Sequence, residues 1–363
     1  MSNPSPRAVQ GLIASIEGTH DADFLRTVAE ARELAAAVFQ LTQGEVAILP
    51  VLEEAAAEIV CGSLLPVAAR VVVGSCGAYG ERLAFAARRL GHTVTLIEAA
   101  RGEAVAPWTL IDAVRSLRPD AVLLMHGEGS TGVLQPLDGV GEACRRVGAL
   151  LLVDASFTLS GVDLRTTAWQ IDAAWSGTQR CLSAVAGLTV VALGPQALER
   201  LAPTPSSALH LRRALSGDYE TFPAPLLYAL VEVLQLCSDQ GLAYRFARHR
   251  NRQMALIAGL QALGLEIVAA PAARLPSVTV VRVPAGVDGE AVRRALLGRF
   301  RLEIGGSVDA ALGPAWRIGV MGHSAAPANI LLLCSALEVL LEEQGCQVQR
   351  GAAARAALAV LEW

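Results

Sequence analysis

The sequence predicts an α/β fold built on a mainly parallel sheet with helices on both faces. Across residues 70–154, near-continuous apolar strands alternate with amphipathic helices, the pattern of strands that are buried on both faces. The chain has 363 residues, of which 53% are apolar, so it can bury a large core and would ordinarily divide into a major and a minor domain. We expect an N-terminal arm at residues 1–20, a large domain at 21–242 and a smaller α/β domain at 243–363.

The individual elements follow from the spacing of the apolar residues. In the large domain, helices are predicted at residues 25–41, 81–90, 108–117, 137–147 and 226–236, and strands at 71–73, 94–97, 121–125 and 150–154. Residues 46–50 are predicted to be a buried turn that leads into a helix. In the small domain, helices are predicted at 244–263, 289–300 and 352–361, and a strand at 278–283. Because ligands bind beyond the carboxyl ends of parallel strands, the residues at those ends are the candidates for function.

Charge and cysteine content exclude several classes of protein. The 30 basic and 34 acidic residues give a net charge of −4, so nucleic acid is not an expected partner. The seven cysteines include no Cys-x-x-Cys pair, which disfavours a disulfide framework and a metal site and favours a reducing cytoplasm. No charged-then-apolar leader is expected at the start, and the longest apolar run, 330–341, is shorter than the about 20 residues that span a bilayer.

Polar and glycine-rich segments follow three of the predicted strands. Residues 74–80 read Gly-Ser-Cys-Gly-Ala-Tyr-Gly, and residues 126–137 read His-Gly-Glu-Gly-Ser-Thr-Gly-Val-Leu-Gln-Pro-Leu. Asp154 ends a third strand, where it could equally cap the next turn. Cys76 is a possible nucleophile, although no histidine is placed beside it by the sequence.

Together with Trp175-Ser176-Gly177-Thr178-Gln179-Arg180-Cys181-Leu182, these segments resemble the class V aminotransferases of the alanine-glyoxylate and serine-pyruvate type. The resemblance implies the type I fold of pyridoxal-phosphate-dependent transferases and a homodimer with shared active sites. It also implies site residues: Tyr79 against the pyridine ring, Asp154 on the pyridinium nitrogen, Gln179 and Thr221 as further cofactor contacts, His126, Glu128, Ser130 and Thr131 lining the cavity, and Arg317 on the substrate carboxylate.

Two features depart from that family pattern. The sequence contains no lysine, since all 30 basic side chains counted as Lys+Arg are arginines, and Arg180 stands where the resemblance places the Schiff-base lysine. A guanidinium does not lose its proton in proteins and cannot form a Schiff base. In addition, residues 46–50 offer neither the glycine nor the hydroxyl of the family's phosphate-binding loop.

Three interpretations of function remain open at this point. The one we favour is an enzyme that works without a cofactor on an amino-acid or 2-oxo-acid-like carboxylate, with Arg180, His126, Glu128 and Asp154 as catalytic residues. The alternatives are a catalytically silent partner of another protein, and an enzyme that binds pyridoxamine or pyridoxal phosphate non-covalently. With no cofactor expected, a buried Asp154 needs a partner, and we predict a direct or water-bridged pair with Arg180.

Overall fold

A computed structural model describes residues 3–15, 18–202, 210–217 and 222–361. The strands in these ranges are β1 (Glu45–Leu49), β2 (Arg70–Ser75), β3 (Thr93–Glu98), β4 (Ala121–Met125), β5 (Gly127–Glu128), β6 (Val133–Leu134), β7 (Leu150–Asp154), β8 (Ala173–Gly177), β9 (Thr189–Leu193), β10 (Val278–Arg282), β11 (Gly305–Gly306) and β12 (Ala315–Gly319). The helices are α1 (Pro6–Leu12), α2 (Ala22–Val38), α3 (Glu53–Leu64), α4 (Ala78–Arg89), α5 (Pro107–Leu117), α6 (Val140–Val147), α7 (Pro195–Arg200), α8 (Leu211–Ser216), α9 (Ala224–Gln240), α10 (Leu242–Ala262), α11 (Gly289–Phe300), α12 (Pro327–Glu343) and α13 (Ala352–Leu361).

The large sheet has seven strands in the order β1-β9-β8-β7-β4-β2-β3. The pairs β2–β3, β2–β4, β4–β7 and β7–β8 are parallel, whereas β9 runs antiparallel to both β8 and β1. Alternate residues of the central strands enter different hydrophobic clusters: Val122 and Leu151 join one, and Leu123 and Leu152 join the other. Both faces of the sheet are therefore covered, and the predicted α/β fold with its mainly parallel sheet is confirmed.

A second, smaller sheet has the order β10-β12-β11 and packs with α10, α11, α12 and α13 around a separate apolar cluster that includes Trp316. The predicted domain division at residue 243 falls beside the start of α10. Towards the N-terminus, α1 packs against α9, and the backbone N–H of Ser5 donates to Ser183 O at 2.9 Å. The short N-terminal helix is thereby fixed to the large domain near residues 178–184.

The prediction for residues 46–50 was wrong. Residues 45–49 form β1, an edge strand that pairs along its length with β9. Val46, Ala47, Ile48 and Leu49 are all buried, and a run of apolar residues next to an available sheet edge gains both ladder hydrogen bonds and burial. The connection from β1 to α3 is consequently only residues 50–52.

Among the described residues, no helix combines the length and apolarity needed to cross a membrane.

Candidate active site

The candidate site is a cavity beyond the carboxyl ends of β4 and β7, where Asp154 is the last residue of β7. The Asp154 side chain is only 7% exposed, and its Oδ1 accepts a hydrogen bond from Ser156 N at 2.8 Å. Burial raises the pKa of Asp154 to about 6, and the nearby Glu53 carboxylate acts in the same direction. A carboxylate is thus held in a dry position where one cationic or N–H-bearing ligand atom would stabilise its charge.

The cavity has a volume of about 100 Å³. Its lining comes mainly from α3, α4 and the ends of the central strands: Glu53, Glu54, Ala57, Tyr79, Arg82, Leu83, Ala86, Met125, Asp154, Ser156, Phe157 and Arg180. The Tyr79 and Phe157 rings lie 5.3 Å apart between centroids and form an aromatic wall. The two rings are tilted by 53° to each other, so the site combines an angled aromatic wall with charged groups of both signs.

Arg180 is paired with Glu53 and not with Asp154. Its Nε and Nη2 donate to Glu53 Oε1 at 3.0 and 2.6 Å, and its guanidinium lies 4.2 Å from the centroid of the Phe157 ring. The prediction of a direct Asp154–Arg180 pair was wrong: the carboxylate that Arg180 contacts comes from the first turn of α3. Gln179 Nε2 also donates to Glu53, whose side chain is 6% exposed.

Glycine at position 177 is what allows this arrangement. A Cβ atom on Gly177 would overlap the Glu53 carboxylate, so α3 and the end of β8 approach closely only because the side chain is absent.

Tyr79 connects the cavity to the small domain. Arg317 Nη1 donates to the Tyr79 hydroxyl at 3.1 Å, and Arg317 Nε donates to Gly306 O at 2.8 Å. The Arg82 guanidinium lies over the Tyr79 ring, 4.9 Å from its centroid. Within the part of the chain that the structure describes, Arg317 Nη2 makes no hydrogen bond, so Arg317 retains a donor for a carboxylate.

Glu128 lies outside the cavity and holds the start of α4. It is fully buried and accepts four hydrogen bonds: from Tyr79 N (3.3 Å), Gly80 N (2.9 Å), Ser130 N (3.0 Å) and Ser130 Oγ (2.6 Å). Burial raises the pKa of Glu128, and these donors oppose the rise. Since all its close partners are framework groups, the arrangement assigns Glu128 to the positioning of α4 and Tyr79 and gives no catalytic role to it.

Ser130 and Thr131 are engaged in the same framework. The Ser130 hydroxyl accepts from Ala78 N at 2.9 Å, and Thr131 Oγ1 donates to Cys76 O at 2.9 Å. Neither lines the cavity around Asp154. Cys76 is itself buried, which raises the pKa of its thiol and makes it a poor nucleophile at neutral pH.

His126 faces a different cavity from the one that contains Asp154. Its Nδ1 lies 2.9 Å from Thr158 Oγ1, its ring meets Trp169 edge-on, and it lines a second cavity together with Asp163 and Arg250. Burial lowers the pKa of His126 to about 4, so the ring is neutral at physiological pH. The structure thus separates His126 from Asp154 and Arg180, with which the sequence had grouped it as catalytic.

One predicted cofactor contact, Thr221, lies outside the described residues. Within those residues, no group of three metal-ligating side chains is brought together. Of the twelve residues that line the cavity, only Tyr79, Asp154 and Arg180 were among the predicted site residues, and those missed include Glu53, Arg82 and Phe157. Glu53 and Glu54 carried a signal, but acidic residues in the first turn of a helix are ordinarily explained by the helix dipole.

Comparison with known proteins places these features in one family. A family model described as aminotransferase class-V matches residues 10–304. The (S)-ureidoglycine–glyoxylate transaminase of Bacillus subtilis is 32% identical, with 98% of this chain and 92% of that protein covered. Among solved structures, the ureidoglycine-glyoxylate aminotransferase of B. subtilis gives a TM-score of 0.94 at 33% identity, covering 99% and 96% of the two chains. The pyridoxamine-pyruvate aminotransferase of Mesorhizobium loti gives 0.92 at 26% identity, covering 99% and 95%.

The expectation that no cofactor binds was wrong. The relatives are aminotransferases of the pyridoxal-phosphate-dependent class, which points to pyridoxal phosphate as the cofactor. The residues present fit part of this group: the buried Asp154 carboxylate and the Tyr79–Phe157 wall suit a pyridine ring that carries a proton on its nitrogen. They do not fit covalent attachment, because the chain contains no lysine.

Proposed function

Because the chain belongs to the class V aminotransferase family, we propose that it is an aminotransferase-type protein that holds a vitamin B6 group without a covalent bond. In this proposal Arg180 occupies the position of the family's cofactor lysine. The ligand lies in the Asp154 cavity, and the second substrate is an amino acid or a 2-oxo acid. A lysine-free chain can join this chemistry only through non-covalent binding.

The observation that carries the proposal is the environment of Asp154. Asp154 is buried at a strand end in a cavity, and its pKa of about 6 leaves most of the side chain ionised at neutral pH. An ionised carboxylate without a cationic partner is expensive to bury, and the two arginines that line the cavity are engaged elsewhere, Arg180 with Glu53 and Arg82 over the Tyr79 ring. Ser156 and Trp175 offer Asp154 neutral donors, and a protonated ring nitrogen would supply the cationic partner that it lacks.

The neighbouring residues have distinct tasks in this proposal. Tyr79 and Phe157 would fix the plane of the ring, while Arg317 would bind a substrate carboxylate with the donor that Gly306 and Tyr79 leave over. When bound as an amine, the B6 group supplies the nitrogen that aminotransferases pass to a 2-oxo acid. Relatives named for glyoxylate and for pyruvate support a small 2-oxo acid as the substrate class.

The relative named pyridoxamine-pyruvate aminotransferase supports an amine form of the vitamin as the ligand. Assembly as a homodimer with shared active sites and a location in the cytoplasm also belong to the proposal, since both follow from the family resemblance and the seven free thiols of the described chain.

The test is calorimetric titration of the protein with pyridoxamine, pyridoxal and their 5′-phosphates. We expect binding of at least one of the four, weakened about tenfold or more by Asp154→Asn, because a charge-assisted hydrogen bond is lost. Asp172→Asn is the matched control: Asp172 is also buried with a pKa raised to about 6, but it accepts from Leu151 N and does not line the cavity. Absence of binding by all four vitamers would refute the proposal.

A second candidate function is a catalytically silent family member that acts through a protein partner. The cavity volume of about 100 Å³ favours it, because ligand pockets usually measure roughly 300–1,000 Å³. The two candidates differ in their response to substrate. The first predicts that glyoxylate or pyruvate raises the melting temperature of the B6-loaded protein and that Arg317→Ala removes the rise, whereas Arg282→Ala on neighbouring β10 does not. The silent protein shows no rise with any of these acids.

A further inference from the structure

The end of the cavity formed by α3 carries fixed negative charge. Residues 50–52 join β1 to α3 without a glycine, and Glu53 and Glu54 occupy the first turn of the helix. A helix start that receives a phosphate needs free amides and close backbone approach, with no competing anion. Here the Glu53 carboxylate itself occupies this end.

Glu53 is held in place from several directions. It is 6% exposed, it receives Arg180 Nε and Nη2 at 3.0 and 2.6 Å, and it also accepts from Gln179 Nε2. The absence of a side chain on Gly177 leaves space for it. A carboxylate bound in this way cannot swing away from an incoming ligand without leaving a buried guanidinium unpaired.

The charge of Arg180 is already balanced by a buried carboxylate, although its Nη1 makes no bond to Glu53. Two of its three guanidinium nitrogens are bonded to Glu53, and its face lies on the Phe157 ring. A phosphate dianion at this end would have to compete with Glu53 for Arg180 and would then lie beside the displaced carboxylate, where like charges repel strongly in a medium of low dielectric.

A neutral donor fits this end better than an anion. Gln179 Oε1 is buried and has no hydrogen-bond partner among the described residues, although its side chain is bonded to Glu53 through Nε2. Buried acceptors of this kind are satisfied by an O–H or N–H group. The unmet need beside Glu53 is therefore for a hydrogen-bond donor.

From this charge pattern we infer that the site selects vitamin B6 forms that lack the phosphate, with pyridoxamine as the preferred chemical class. The inference rests on the proposed function and adds the identity of the ligand. The ring nitrogen of pyridoxamine pairs with Asp154, and its neutral hydroxymethyl group takes the place of the phosphate next to Glu53 and Gln179. The ion pair between Glu53 and Arg180 is the feature that disfavours a phosphate at this end of the cavity.

The experiment compares dissociation constants for pyridoxamine and pyridoxamine 5′-phosphate by calorimetry. The wild-type protein should bind pyridoxamine about tenfold or more tightly than its phosphate, because the phosphate places a dianion beside a buried carboxylate. Glu53→Gln should reduce that preference by about tenfold, since the charge is removed and the shape is kept. Glu54→Gln, an exposed neighbour that also lines the cavity, should keep the wild-type ratio.

If Glu53→Gln does not fold, the double variant Glu53→Gln/Arg180→Gln replaces it, because it leaves no buried charge unpaired. Equal or tighter binding of the phosphate form by the wild type would overturn the inference while leaving the proposed function intact. An unchanged ratio in the folded Glu53 variant would also overturn it. Failure of both amines and both aldehydes to bind would overturn the proposed function, and the inference with it.

Discussion

Two buried carboxylates, Glu128 and Glu53, differ in what they contact. Glu128 belongs to the segment that most resembles an aminotransferase signature, and it is saturated by backbone and hydroxyl donors that fix α4. Glu53 belongs to no recognisable motif, and its partners are the side chains of Arg180, which also lines the cavity, and Gln179. A residue of the family signature, Glu128, thus stabilises the framework. The residue that we expect to select the ligand, Glu53, follows the loop that lacks the family's phosphate-binding residues.

The largest expected loss of stability comes from removing the carboxylate of Glu128. Glu128→Ala should lower the free energy of unfolding by about 3 kcal/mol, because it leaves several buried donors without an acceptor. Urea denaturation of the variant measures the loss. Glu142→Ala, which removes an exposed partner of Arg146, should change the stability by less than about 0.5 kcal/mol. A Glu128 variant as stable as this control would contradict the framework role.

Glu53 and Arg180 should be strongly coupled in their contributions to the free energy of unfolding. Glu53→Ala should destabilise the protein by about 2 kcal/mol, because Arg180, 13% exposed, would remain buried without its carboxylate. The double variant Glu53→Ala/Arg180→Ala should be more stable than Glu53→Ala alone. A double-mutant cycle in urea should give a coupling free energy of about 1–3 kcal/mol. Additive single effects would mean that the two residues do not act as a pair.

The free energy of unfolding should depend on pH through Asp154. Its pKa is raised from the ordinary 3.8 to about 6, so between these values the folded state binds more protons than the unfolded state. The Asp154 contribution to stability is therefore fully present below about pH 4 and is lost as the pH rises through about 6. Relative to wild type, Asp154→Asn should gain about 1–2 kcal/mol between pH 4 and pH 7.

Measuring the difference between the two proteins isolates this contribution from that of His126. The pKa of His126 is lowered to about 4, so its contribution has the opposite sign and is lost as the pH falls from about 6.5. A wild-type minus Asp154→Asn difference that stays constant from pH 4 to pH 7 would show that Asp154 has an ordinary pKa.

The smallest expected effect concerns the link between the domains. Tyr79→Phe removes the acceptor of the Arg317 hydrogen bond and should cost about 0.5–1 kcal/mol in thermal or urea unfolding. Tyr244→Phe, at a position with 58% exposure, serves as the matched control and should be neutral. Equal stability of the two variants would indicate that the Tyr79–Arg317 contact contributes nothing to domain docking.

Much of the fold was accessible from the sequence because it depends on patterns along the chain. Strands at 121–125 and 150–154 and helices at 289–300 and 352–361 appear with the predicted bounds, since each is a clear apolar period with a definite end. β1 was missed because an edge strand is specified by its partner β9, which is distant in the sequence. Tertiary pairing decides such a segment, and its local composition does not.

The site was only partly accessible for a related reason. Asp154, Tyr79 and Arg180 do line one cavity, as their positions at the carboxyl ends of strands indicated. The direction in which a side chain points was not predictable: His126 follows β4 directly, yet it faces the second cavity, against Trp169. The choice of Glu53 over Asp154 as the partner of Arg180 likewise depends on how closely α3 approaches Gly177, a distance that no local pattern encodes.

The central claim is that Asp154 binds the ring nitrogen of a non-covalently held pyridoxamine. The most direct measurement is the nitrogen-15 NMR shift of ring-labelled pyridoxamine in complex with the protein, at a pH where the ring nitrogen of the free ligand is neutral. We predict the shift of a protonated pyridinium for the wild-type complex and the shift of a neutral ring for Asp154→Asn, because the ionised carboxylate stabilises the added proton. A neutral ring nitrogen in both complexes would contradict the account.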